Sequence, residues 1–296
     1  MISIFGQLFN GLYFAAILFF AAVGLTLVFG ILNLLNMAHA AFFAVGAYLG
    51  VWTLNNLGTV SESILLALFT LVVAIPLVVT VLAAALDRTV FAPLYDVEPV
   101  YQLLATFGVI LMLDDVIKII WGTAPITADR AISPAAQLGS VAGVSVYRTF
   151  TILTFVAVAA GLYLMFKRTR LGKISQAMSE DYEMVEMLGI DVGRVRLLIF
   201  GISIGLAALG GALFVPFAAA TPGITLEYVL LSFAVIVIGG LGSLKGAIVA
   251  ALLLGFVRSF GIAYVPQIEL AIVFALMAIV IIVRPEGLFG GRGVVE

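Results

Sequence analysis

The chain has 296 residues, 64% of them hydrophobic and 10% charged, with a mean hydropathy of +1.28 and a formal net charge of −2. A soluble domain carries about 25% charged residues, so composition excludes one, and the negative balance argues against nucleic acid as a partner. With no cysteine and one histidine, disulfides, cysteine-held metals and histidine-rich metal centres are excluded as well, and no metal site is expected.

A hydrocarbon core about 30 Å thick takes roughly 20 apolar residues per helical crossing, which leaves room for about eight to ten crossings. Apolar runs suited to helices fall at about 7–32, 40–57, 63–86, 100–121, 148–166, 196–219, 227–258 and 264–283. They are continuous rather than alternating, unlike the strands of a membrane barrel. The expected fold is therefore all-α: one polytopic transmembrane domain over 1–296, with about eight membrane helices and one or two broken or re-entrant segments. Ala38-His39-Ala40 matches a small-x-small cleavage pattern. However, no basic residue precedes the first run, and the run is longer than a secretory apolar segment, so it is expected to stay as a span.

The first run ends in a polar break at Asn33, Asn36 and His39, whose i, i+3, i+6 spacing suits one side of a cavity. A lone buried histidine more often only hydrogen-bonds a neighbouring carbonyl. Further on, Asp114 and Asp115 lie inside an apolar run. A carboxylate there defaults to a functional role, but Lys118 stands one helical turn later and offers a salt bridge, which favours a structural one. Residues 122–147 form a loop with few charges.

Residues 167–196 are a polar island holding six of the fourteen basic and five of the sixteen acidic residues. Lys167, Arg168, Arg170, Lys173, Arg194 and Arg196 place it in the cytoplasm, and Arg88, Arg284 and Arg292 agree. Loop 122–147 then lies outside, and counting back from Arg88 puts the N-terminal side outside too. Within the island a short helix is expected over 180–188, capped by Ser179 and ended by Gly189. Glu180, Asp181 and Glu183 would sit at its positive end, with Met184, Val185, Met187 and Leu188 grouped toward one side. A helix this short needs a surface to lie on. Its acids repel an anionic leaflet and its methionines suit a protein partner.

Gly201, Gly205, Ala208, Gly210 and Gly211 permit close helix approach. The seventh run exceeds one crossing and is interrupted at 239–246, including Gly239, Gly240, Gly242 and Ser243. Two crossings there bring the tail back inside. Paired interruptions in two halves point to a transport pathway; the alternative is a pair of turns at the membrane surface. Glu227 and Glu269 flank external turns and are expected to be solvated, while Arg258 either faces inward or snorkels. Gly242-Ser-Leu-Lys245-Gly lacks the glycine and hydroxyl of a nucleotide-binding loop, and no catalytic constellation appears, so the chain is not expected to be an enzyme.

Segment 24–50 (GLTLVFGILNLLNMAHAAFFAVGAYLG) closely resembles the opening of the LIV-type inner-membrane permeases of bacterial ABC transporters, which serve branched-chain amino acid uptake. Segments 233–256 (FAVIVIGGLGSLKGAIVAALLLGF) and 284–290 (RPEGLFG) resemble the family's closing signatures. The island is similar through Arg168-Thr169, Gly172, Ala177, Asp181 and Leu188-Gly189-Ile190. It departs at Gln176, where arginine is common, and at Val185, where alanine is frequent. The resemblance implies a permease subunit of an importer in the bacterial inner membrane, working by alternating access. Its partners would be a second related permease, two cytoplasmic ATPases and an extracytoplasmic solute-binding protein. The partner subunits would hydrolyse ATP, and this chain would bind no cofactor. The docking residues would be Glu180, Asp181, Glu183, Met184, Met187, Leu188 and Gly189. The pathway candidates would be Asn33, Asn36, His39, Gly239, Gly240, Gly242 and Ser243. The rival reading is an ion- or proton-coupled secondary transporter, for which only Asp114 and Asp115 qualify as coupling groups.

Overall fold

The computed structural model describes residues 4–58, 63–95, 97–129, 138–141 and 144–290. The chain forms α1 (Ile4–Leu32), α2 (His39–Asn56), α3 (Ile64–Leu94), α4 (Pro99–Trp121), a two-residue hairpin of β1 (Ser140–Val141) and β2 (Val144–Ser145), and α5 (Val146–Arg168). The island follows as α6 (Arg170–Glu180) and α7 (Tyr182–Met187). Then come α8 (Val192–Phe214), α9 (Ile224–Gly239), α10 (Leu244–Tyr264) and α11 (Glu269–Val283). Among the described residues, α1, α3, α5, α8, α10 and Pro266–Val283 are long and apolar enough to cross a membrane. The all-α polytopic expectation holds, and the hairpin in the outer loop is a small addition to it.

The seventh apolar run is two helices. Gly240 and Gly242 take φ of +102° and +79°, values open to glycine and costly for other residues. The Ser243 hydroxyl then accepts from the Gly246 amide at 3.1 Å and starts α10. With the island inside, α5 descends, α8 rises, α9 descends, α10 rises and α11 descends. Helix α1 runs antiparallel to α10. Ser259 donates to the Gln7 carbonyl at 2.8 Å near their outer ends, and at the inner end a Cβ on Gly30 would lie 2.7 Å from Gly242 Cα.

Helices α1 and α8 form the centre: 83% and 78% of their most apolar stretches are buried, against 22% for α5 and 6% for Pro266–Val283. The outer helices turn apolar side chains such as Leu65, Ile119 and Ile282 outward, where lipid takes the place of a protein core. Small residues let the central helices touch. A Cβ on Gly46 would sit 2.3 Å from the Ala208 carbonyl oxygen, and one on Gly255 would sit 2.5 Å from the Ala15 nitrogen. Such contacts replace the hydrophobic drive that lipid cannot supply.

Helix α3 carries two π-helical turns, Thr70–Ala74 and Asp87–Phe91. Pro76 follows the first. A proline inside a helix removes a donor and crowds the preceding turn, and the widened turn lies where that crowding falls.

A Cβ on Gly211 would meet the Phe43 carbonyl oxygen at 1.9 Å, whereas one on Gly108 meets nothing within 4 Å. Gly211→Val is expected to lose about 3 kcal/mol or more of stability, at or above the upper part of the range for overpacked cores. Gly108→Ala should melt at or slightly above the parent temperature. Thermal unfolding in detergent followed by size-exclusion chromatography checks both.

Candidate functional site

The two chain interruptions come near one another, because Gly242 of the second packs on Gly30, just ahead of the first in α1. Asn33, the sole non-glycine with positive φ among the described residues (+51°), turns the chain after α1, a conformation asparagine tolerates better than most. Residues 33–36 have no helical form, and α4 supplies partners to the backbone at Leu35 and Met37. Gln102 Oε1 accepts from the Leu35 amide at 3.2 Å, and Thr106 Oγ1 accepts from the Met37 amide at 3.2 Å. The Gln102 amide nitrogen also donates to the carbonyls of Leu94 and Val97, each at 3.0 Å. In an apolar surrounding each unmade bond costs several kcal/mol, so these two side chains hold the break open as built structure.

The expected shared face of Asn33, Asn36 and His39 does not form, because the segment between them is not a helix. Asn33 is exposed, whereas Asn36 and His39 are fully buried. His39 opens α2 against the middle of α1 and α8: a Cβ on Gly24 would lie 2.3 Å from both His39 Cε1 and the Ser203 carbonyl oxygen. Neither amide atom of Asn36 meets a hydrogen-bond partner. The His39 imidazole is hydrogen-bonded to the Ala21 carbonyl, whose second lone pair accepts from Ser232 Oγ at 3.0 Å.

The second interruption, 240–243, is closed by the tail. The amides of Leu288 and Phe289 donate to the carbonyls of Ile238 and Gly239 at 2.8 and 3.0 Å, which would otherwise be orphaned at the end of α9. Gly239 and Gly246 touch across the turn, where a Cβ on Gly246 would lie 2.1 Å from the Gly239 carbonyl oxygen. Of the four candidates here, Gly242 meets the end of α1 at Gly30, whereas Gly239 faces Gly246, Gly240 faces the tail and Ser243 caps α10.

The island holds two helices where one was expected. Thr169 caps α6 by accepting from the Gly172 amide at 3.1 Å, and Gly172 packs on Phe166, where a Cβ would clash at 2.4 Å. Ser179 is not a cap. It lies within α6 and donates to the Gln176 carbonyl at 2.8 Å. Asp181 caps α7 instead, accepting from the Met184 amide at 2.9 Å, so α7 runs over Tyr182–Met187 rather than 180–188. Glu180 ends α6, and Gly189 closes α7 at φ +77° as expected.

The apolar grouping also divides. Val185 is buried at 3% exposure against the chain's own core, while Met184, Met187 and Leu188 project at 55%, 77% and 72%. Glu180, Asp181 and Glu183 are exposed beside them. Val185 therefore answers to internal packing and lies off the outward surface. The island is anchored at its far end by the Arg196 guanidinium, 4.4 Å from the Tyr95 ring, and Tyr95 donates to buried Asp87 at 3.1 Å. Arg196 of α8 thus joins the end of α3 through Tyr95.

At the outer end, Glu227 and Glu269 are not simply solvated. Arg258 faces inward and pairs with both, at 2.6 and 2.9 Å, with its side chain 14% exposed. The sequence separation of the three residues hid that cluster. Asp114 and Asp115 pair with Lys118 at 2.7 and 3.1 Å, the helical bridge that the spacing predicted.

This architecture can be set against known proteins. Residues 7–283 match the family described as the branched-chain amino acid transport system permease component. The chain belongs to this family, the one its sequence motifs resemble. It is 28% identical over 295 residues to the high-affinity branched-chain amino acid transport system permease protein BraD of Pseudomonas aeruginosa, covering 96% of this chain and 95% of the relative. It is 26% identical over 294 residues to the corresponding protein LivH of Escherichia coli K12, covering 96% and 94%. A probable LivH of Methanocaldococcus jannaschii is 26% identical over 253 residues, covering 84% and 78%. No solved structure matches. Like the family's other members, the chain is a multi-pass membrane permease, and its three signature segments converge: 24–50 and 284–290 both pack on the 239–242 turn.

Removing the α7 cap isolates its contribution. Asp181→Ala is expected to cost about 1 kcal/mol locally and to speed amide exchange at 182–188 severalfold, with little change in global melting. Hydrogen–deuterium exchange by mass spectrometry checks this.

Proposed function

We propose that the chain is the membrane-spanning permease subunit of an ATP-driven importer of branched-chain or related amino acids in a bacterial inner membrane. The observation that carries this reading is the exposed crest of Met184, Met187 and Leu188, flanked by acids and mounted on an island tied to α3 and α8. An apolar crest on a short, rigidly capped helix suits a groove on a soluble partner, where a few anchors carry most of the binding energy. The partner is a cytoplasmic ATPase, present twice in the assembly. A second related permease faces this one, and an extracytoplasmic binding protein delivers solute. Nucleotide-driven closure of the ATPases moves α7. The Arg196–Tyr95–Asp87 link passes that displacement to α3, and the region where the two interruptions come near one another changes which side of the bundle is open. This chain binds no cofactor, performs no catalysis and is a single transmembrane domain with 167–196 as its coupling loop.

The translocation pathway runs past the junction of the interruptions, with Asn36, His39, Gly239, Gly240, Gly242 and Ser243 beside it. Asn33 marks the bend on its exposed side. The unpartnered amide of buried Asn36 supports that course, because a buried polar group without a partner is costly in a purely structural role.

Met187→Asp, Glu183→Lys and Gly189→Pro should each insert normally while lowering ATPase stimulation and uptake by about tenfold or more, the loss of roughly one hot-spot contact. Reconstitution of the assembled complex into proteoliposomes measures both. Stimulation and uptake equal to the parent in all three variants would overturn the docking surface. Uptake that persists without ATPase subunits and follows an ion gradient would replace the importer with a secondary transporter.

A further inference from the structure

At the outer end of the bundle a cavity of about 250 Å³ opens between α1, α5, α10 and the segment after α8. Arg148, in the first turn of α5, reaches into it. Its guanidinium lies 4.6 Å from the Phe217 ring centre and 5.6 Å from that of Tyr13. It donates through Nη1 to Asn10 Oδ1. Its Nε is buried and has no acceptor. The ion pairs among the described residues all involve other cations. Tyr13 is 4% exposed, and its hydroxyl is also without a partner. Gln7 and Ser259 complete the polar lining and hydrogen-bond one another at 2.9 Å.

A half-buried cation with no carboxylate partner among the described residues is a ready anchor for a visiting anion. Its aromatic walls stabilise the charge in part through the ring faces. They leave the Nε–H donor and the Tyr13 hydroxyl unused. Planar guanidinium donors match a carboxylate, and the apolar walls suit an aliphatic group rather than a strongly hydrated one.

We propose that this cavity is an outer waypoint for the permeating solute and takes an amino acid by its carboxylate. The Arg148 guanidinium, which lines the cavity, donates to the carboxylate oxygens. The Phe217 wall accepts the aliphatic side chain, and the Gln7–Ser259 pair borders the polar end. The site rests on the reading of the chain as an amino-acid permease and adds to it where solute first meets the membrane subunit. No new bond forms or breaks; the step is binding and release.

The test uses the assembled complex in nanodiscs, without binding protein, carrying Phe217→Trp as a fluorescent reporter against the complex that lacks it. L-leucine should change the added emission saturably. L-leucinamide, which lacks the carboxylate, should require at least about tenfold more, as expected for the loss of one charge-assisted hydrogen bond. Arg148→Gln should abolish the response and raise the KM for uptake about as much, while Arg148→Lys, which keeps the charge without the fork, should fall between. Equal responses to leucine and leucinamide, or none to leucine, would overturn the waypoint. So would a response produced by anionic lipid alone when phosphatidylglycerol replaces phosphatidylcholine, which would make the cavity a headgroup site. Weaker association of the binding protein with the Arg148→Gln complex, with leucine titration unchanged, would assign the arginine to protein docking and overturn it too. ATP-driven uptake by the parent complex in the same preparation keeps the two readings apart. Its absence counts against the importer, whereas its presence with unaltered KM in Arg148→Gln counts against the waypoint alone.

Discussion

Lipid offers no hydrogen bonds, and most of this fold follows from that. Every amide and carbonyl inside the bilayer must find a protein partner, so the chain is helix wherever it can be. Where it leaves the helical form it imports partners from elsewhere in the sequence. The break after α1 draws on Gln102 and Thr106 of α4, and the break after α9 draws on the amides of Leu288 and Phe289. The two irregular segments are therefore expensive to build and are held by residues distant in sequence. Glycines at 30 and 242 then let the second segment pack on the helix that leads into the first. A helix pair without these breaks would be simpler and more stable, and their presence marks the place where the bundle departs from mere packing.

The same reasoning explains what could be read from the sequence. Apolar length and the absence of alternation were enough for the helices, because the bilayer enforces a single solution. The doubled seventh run was legible through its glycines and through the parity of charge placement. Gly201, Gly205, Ala208, Gly210 and Gly211 were legible as contact residues because side-chain volume alone governs approach. The Asp114–Lys118 pairing was legible because one helix fixes its spacing.

What was not legible depends on relations between elements. Ser179 and Asp181 are equally good caps in sequence. Thr169 starts α6 immediately after the end of α5, so Ser179 falls inside a helix and only Asp181 remains available. Val185 looked like part of an outward apolar stripe, and the packing of α7 on the rest of the island turns it inward. Arg258 meets Glu227 and Glu269 only because α9, α10 and α11 converge at the outer face. Arg148 gave no signal at all. A single arginine at a helix start is ordinary, and its setting comes from α1 and the segment after α8.

The closure of the 240–243 turn by residues 288 and 289 bears on the order in which the protein is made. Helices α9 and α10 leave the ribosome well before the segment that satisfies the carbonyls of Ile238 and Gly239. During insertion this hairpin must borrow water at the inner interface, or wait beside the insertion machinery, until α11 has crossed and its tail folds back. The last assembly step then seals the junction against α1. A chain interrupted before Gly287 would carry all its spans and still lack the bonds that fix how the two halves meet.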